Sequence, residues 1–573
     1  MKRTTQALFL LLLSLILAAC SEQQQGKRAV AGLELFGRVP ADTPYVAASS
    51  RALPEALSKR MLKAVALQYE DRRAQIEGKM AAAADGSADR RFFALFAALN
   101  DELKDKLTPE GLASIGFPLN GRSLIYGLGV LPVAWVEVVD EAKVNAFLDR
   151  VESKWGESSR RLKLDGIDYR RFDFDGLMVT VAVEKGYLVA ALLPSKADDD
   201  LLSLALGARK PEKSLADTGG FKSFVGSHRF LGYGEGYVDL RRLTELALGE
   251  AKGENAKALA ALGFRRSEVD PACRPLVKHV VQAVPRFSFG YIDAKADSYR
   301  VEAALETSPA VGAWLTRLPA AVPGLGKSAD ATFSLGLGLN LPKVRDALKA
   351  LINDILQNGK GCPSVDRQQL AGFVQSLDMV LNPMVAGIRG FNFVLDRLEI
   401  DPRTLDPKSV EARLLLASTD PRGLLGMSGM LDPNLAMLQV PSDGKPVKLP
   451  LQNSLPQAPP AWVAIKGEAL GLFLGAEPPK EAVKLLQAGS ASPTLIFHMG
   501  YDLRRLLRQV GPSLEQAMRQ MSGEEAADVR EFYRTIKQTA ALYDRVDFTV
   551  HGEKRGLVME GRVTFYSGSG GEG

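Results

Sequence analysis

Polar and apolar positions along this chain fall into two recurring patterns. Apolar residues spaced three and four apart predict amphipathic helices over 54–79, 90–106, 141–154, 343–356 and 526–543. In the first of these, Leu57, Met61, Val65 and Gln68 lie on one stripe with Lys59, Arg60 and Lys63 at its sides, as in a core-facing helix. Alternating positions mark strands instead, and these come mostly in adjacent pairs. Residues 177–184 and 187–193 are joined by Lys185-Gly186, a two-residue turn that predicts an antiparallel hairpin. Paired strands separated by helices predict an α+β fold with mainly antiparallel sheets and helices packed on one face.

The pattern also repeats itself. Gly236-Tyr237-Val238-Asp239-Leu240-Arg241-Arg242-Leu243 returns as Gly500-Tyr501-Asp502-Leu503-Arg504-Arg505-Leu506, and in each a strand-like run meets an Asp placed to cap a helix. Three further pairs keep the same order: 45–49 with 333–339, 187–193 with 470–474, and the hairpin-like 287–305 with 546–565. Four pairs separated by roughly 260 to 290 residues predict a divergent tandem duplication, although any α+β chain reuses strand, cap and helix. The halves then cover 33–308 and 329–567, with 309–328, rich in Pro, Gly and Ala, as connector.

At the start, Lys2 and Arg3 precede an apolar run over 7–19, the layout of a secretory signal. The run is too short for a spanning anchor, which needs roughly 20 apolar residues. It closes on Leu17-Ala18-Ala19-Cys20, which resembles the lipobox of bacterial lipoproteins. That resemblance implies that residues 1–19 are removed as a signal peptide and that the Cys20 thiol receives a diacylglycerol with palmitate-type chains, tying the protein to a membrane. More than one chain matters, because a single acyl chain holds a protein only marginally. An ordinary signal peptide with an incidental cysteine is the alternative. Ser21, where an Asp would retain a lipoprotein at the inner membrane, implies the outer membrane facing the periplasm. Residues 20–32 are polar and read as a flexible tether, and 568–573 as a disordered tail.

Composition narrows the partners. The 573 residues carry a net charge of +5 with cations and carboxylates interspersed, so no polycation points to nucleic acid. Two cysteines remain beside Cys20, and export to an oxidising compartment predicts a disulfide between Cys273 and Cys362, or else two separately buried thiols. Closing so long a loop would contribute roughly 4 to 5 kcal/mol in the chain-entropy model.

Familiar chemistry is sparse. Ala321-Val322-Pro323-Gly324-Leu325-Gly326-Lys327-Ser328 satisfies a relaxed phosphate-loop pattern, but a helix-like segment precedes it and a strand follows, the reverse of what phosphate binding needs. No nucleotide is therefore expected. Gly426-Met427-Ser428-Gly429-Met430 misses the last glycine of a nucleophile elbow, and Ser442-Asp443-Gly444-Lys445 sits among prolines as a turn. His228, His279, His498 and His551 are scattered without metal-ligand spacing. Asp198-Asp199-Asp200 is explained by a helix start. No catalytic, cofactor-binding or metal residue is expected.

Residues 111–138, with Gly116-Phe117-Pro118, Tyr126-Gly127-Leu128-Gly129 and Leu131-Pro132-Val133, resemble uncharacterised proteobacterial lipoproteins, a likeness that brings no functional residues. The expectation is a membrane-tethered, non-enzymatic envelope protein that binds an apolar ligand or another envelope protein. Phe92, Phe93 and Phe96 beside Arg90 and Arg91 are the nearest thing to an apolar contact surface, unless they are core. The alternative is an envelope hydrolase with a dispersed active site.

Overall fold

The computed structural model describes residues 35–566 apart from 68, 85, 265–268, 382, 405, 428–437, 451–458 and 522–523. The lipobox with Cys20, the tether and the tail lie outside the described residues. The chain divides into two compact units, Met1–Val301 and Glu302–Gly573. Each is α+β and built on an antiparallel sheet.

The first unit contains β1 (Tyr45–Ser49), α1 (Glu55–Leu67), α2 (Ala88–Leu103), β2 (Ser123–Leu128), β3 (Leu131–Glu137), α3 (Glu141–Trp155), β4 (Arg160–Leu164), β5 (Ile167–Phe174), β6 (Leu177–Glu184), β7 (Tyr187–Pro194), α4 (Asp199–Leu206), β8 (Tyr233–Asp239) and β9 (Arg286–Ala294). Its strands lie side by side as β4-β5-β6-β7-β3-β2-β1-β8-β9, every neighbouring pair antiparallel. Local chemistry sets these elements. Lys185 and Gly186 both hold positive φ, as the two-residue hairpin turn requires. Ser87, Asp140 and Asp198 cap α2, α3 and α4 by accepting a backbone N–H three residues on. On one sheet face Val46, Tyr126, Val133 and Tyr237 are buried in a core that includes Leu201 and Leu204 of α4.

In the second unit follow β10 (Ser298–Glu306), within which the chain passes from one unit to the other, then α5 (Pro309–Leu315), β11 (Phe333–Gly338), α6 (Leu341–Asn358), α7 (Arg367–Val380), β12 (Ile388–Ile400), β13 (Pro407–Ser418), α8 (Pro421–Met427), β14 (Val447–Lys448), β15 (Ala461–Lys466), β16 (Ala469–Leu474), α9 (Ala482–Gln487), β17 (Leu495–Tyr501), α10 (Leu503–Gln520), α11 (Glu524–Leu542), β18 (Tyr543–Glu553) and β19 (Gly556–Phe565). The strand order is β14-β15-β16-β13-β12-β11-β17-β18-β19, again antiparallel throughout. From β14 to β18 this order matches β5 to β9 of the first unit strand for strand, with the same sequence of connections.

The stretch expected as a connector belongs to the second unit. Residues 309–315 form α5, and 319–331 run as a strap across one face of the sheet. Gly336 and Gly338 let the strap approach: a Cβ on Gly336 would sit 2.4 Å from Leu325 Cδ1, and one on Gly338 would sit 2.5 Å from the Ala320 carbonyl. Asn392 Nδ2 donates to the Pro323 carbonyl at 3.1 Å, and Arg545 donates to the Ala331 and Ser328 carbonyls at 3.0 Å each. Val322 and Leu325 are buried there with Ala417 and Leu495.

Candidate functional site

The strap leaves the second unit's sheet with two unlike faces. Along β11, Ser334, Gly336 and Gly338 are buried beneath the strap, whereas Phe333, Leu335 and Leu337 point the other way and stay half-buried. Side chains alternate across a strand, so the pairing register decides who joins them.

Phe333, Leu335 and Leu337 stand opposite Leu395, Phe393 and Phe391 of β12 on one side and Tyr501, Met499 and Phe497 of β17 on the other. The register carries the face outward to Leu414 and Leu416 of β13, and to Val546, Phe548 and Val550 of β18. Each of these side chains is half-buried, and the only ionisable group among them is the Tyr501 phenol, which burial pushes up. Rings meet across the strands, with Phe333 and Phe393 centroids 6.3 Å apart and Phe497 and Phe548 6.1 Å apart. Three residues deep along the strands, the face covers about 14 Å by 24 Å at ordinary sheet spacings.

Its borders differ. At one end Leu337, Phe497 and Val344 of α6 all pack against the cluster of Leu315, Leu318 and Ile496. To the side, Leu416 and Leu472 are covered by Leu424 and Leu425 of α8 and by Val440 and Leu449. At the opposite end lies α10, capped by Asp502, which accepts the Arg505 N–H at 2.7 Å. Gln509 of α10 donates to Thr332 Oγ1 and the Asp396 carbonyl, and Ser513 donates to the Ile400 carbonyl, which fixes the helix along the ends of β11 and β12.

The strap-covered face holds the polar groups. His498, 4 % exposed, has Nε2 3.6 Å from Asp547 Oδ1, while Arg545 donates to the same carboxylate at 2.8 Å. Burial alone would raise the Asp547 carboxyl, and hydrogen bonds from His498 and Arg545 outweigh it, leaving the group below the usual range. Among the described residues no cluster of His, Cys, Asp and Glu is arranged to hold a metal ion, and no helix is long and apolar enough to cross a membrane.

Other positions singled out from sequence resolve as follows. Phe92 is buried in the first unit's core with Phe96 and Phe174, so the Phe92, Phe93 and Phe96 group is packing and not a contact surface. Cys273 and Cys362 are buried and disulfide-bonded. The phosphate-loop look-alike is the strap itself, with no helix after it. Asp198 and its neighbours begin α4. Ser428 lies outside the described residues, and Asp443 forms a turn by accepting the Lys445 N–H. A hydroxyl does meet a histidine at Thr494–His551, 3.1 Å, and at Ser227–His228, 3.0 Å. Neither pair borders the two adjoining surface cavities lined by Asp149, Glu152, Arg161 and Arg170.

Sequence reading missed the apolar face, although its signal is present. Phe-Ser-Leu-Gly-Leu-Gly, Phe-Asn-Phe and Phe-His-Met-Gly-Tyr each alternate large apolar with small or polar residues in β11, β12 and β17. No family model, curated protein or solved structure matches this chain.

Proposed function

We propose that this chain is a lipid-anchored envelope protein, tied through Cys20 to the outer membrane on its periplasmic side, that binds hydrocarbon chains without catalysing a reaction. The observation that carries the binding half of this reading is the apolar face of the second unit's sheet. Its side chains are half-buried and carry no charge, and apolar surface gathered on one face in this way marks an interaction site. The occupant is argued from what the face lacks. Apart from the Tyr501 hydroxyl it offers no hydrogen-bonding side chain, so a peptide laid on it would lose water from its backbone without replacement, whereas an acyl chain has nothing to lose. The anchor supports the same reading, because acyl chains on Cys20 would keep the body beside a lipid surface.

The matching strand orders, together with the four sequence echoes, support reading the two units as divergent copies of one ancestor. In the first unit, the positions that pair like Leu335 and Met499 are Ala47 and Gly236, too small to form such a face.

Organic extraction of the protein purified from envelopes tests the binding reading: co-purified lipid is expected, and a lipid-free protein that takes none from vesicles overturns it. Intact mass tests the anchor, with a diacylglycerol adduct expected on Cys20 and an unmodified or uncleaved leader overturning it.

A further inference from the structure

Resting on that reading, we propose that the apolar face takes the two acyl chains of an anionic phospholipid, with its phosphate held by Arg504 and Arg508 at the α10 end. The dimensions fit such a ligand. Three same-face residues along a strand span about 14 Å, and the acyl chains of one leaflet, half of a 30 Å core, are about 15 Å long. A chain laid along the strands from Tyr501 towards Phe497 therefore fills the face and stops at the wall of Leu315 and Val344. Five strands side by side leave room for more than one chain, which favours a two-chain lipid over a free fatty acid.

Charge selects the headgroup. α10 carries Arg504, Arg505, Arg508 and Arg519 against one carboxylate, Glu515, which is already bonded by Tyr533 and Lys537. Arg505 is also engaged, donating to the Asp330 carbonyl. Arg504 differs: its guanidinium lies over the Tyr566 ring, 3.3 Å from the centroid, and its Nη1 is buried with no hydrogen-bond partner. The side chain as a whole is partly exposed, so a phosphate oxygen can approach the guanidinium and make a charge-assisted bond. Arg508 follows one turn later, exposed, on the same side of the helix. Arg504 comes just after β17, so this cation stands at the end of a strand that builds the face.

The test offers the full chain, purified from membranes in mild detergent, equal amounts of phosphatidylglycerol and phosphatidylcholine with identical acyl chains, and reads adducts by native mass spectrometry. Phosphatidylglycerol adducts should exceed phosphatidylcholine adducts by about ten-fold. The double variant R504Q/R508Q should bring the ratio close to one while retaining phosphatidylcholine adducts. Equal adducts on the parent protein, or an unchanged ratio in the variant, overturn the headgroup assignment and leave the acyl-chain reading standing. No adducts with either lipid overturn both.

Discussion

Asn392, 1 % exposed in the middle of β12, donates from Nδ2 to the carbonyl of Pro323 at 3.1 Å, joining positions 69 residues apart. The bond holds the strap against the sheet, and removing it leaves a buried carbonyl without its donor. Asn392→Ala should cost about 1 to 3 kcal/mol, visible as a lower urea midpoint with unchanged slope. An unaltered midpoint would mean that the strap is held elsewhere.

Backbone approach makes a second prediction. Because a Cβ at Gly338 meets the Ala320 carbonyl at 2.5 Å, Gly338→Ala must displace strap or strand, with a cost of about 1 to 3 kcal/mol. Limited proteolysis should cut the variant earlier within 319–331 than the parent. Gly226→Ala, with nothing within 4 Å of the added carbon, serves as the control and should leave the cleavage pattern alone.

The Asp547 carboxyl makes stability depend on acid. Its folded value lies below the usual range, so the unfolded chain binds this proton more tightly than the native one does. The contribution is therefore complete above the unfolded value of about 3.9 and is lost as pH falls through the folded value. Denaturation midpoints measured from pH 7 down to pH 2 should fall less steeply at the acid end for Asp547→Asn than for the parent. Parallel curves would refute the assignment.

Thiol counting tests the cysteines together. With Cys20 acylated and Cys273 bonded to Cys362, the unfolded chain should show no free thiol before reduction and two afterwards. One free thiol before reduction would place an unmodified sulfur at Cys20.

What the sequence determined by itself is local. Caps at Asp239 and Asp502, the helix start at Asp198, the Lys185-Gly186 turn, and the bounds of the helices starting at Glu141 and Leu341 follow from side chains acting on their own backbone, so they were legible within a residue or two. The four echoes were legible too, and β1, β7, β8 and β9 hold the places in the first order that β11, β16, β17 and β18 hold in the second. Tertiary structure alone decided which side of the second sheet is covered. Alternation along β11 announces two unlike faces, but Ser334, Gly336 and Gly338 are the more buried set and Phe333, Leu335 and Leu337 the less. The reason is that small residues admit the backbone of the strap, a contact made by segments distant in sequence, whereas period-two patterning records only that the faces differ.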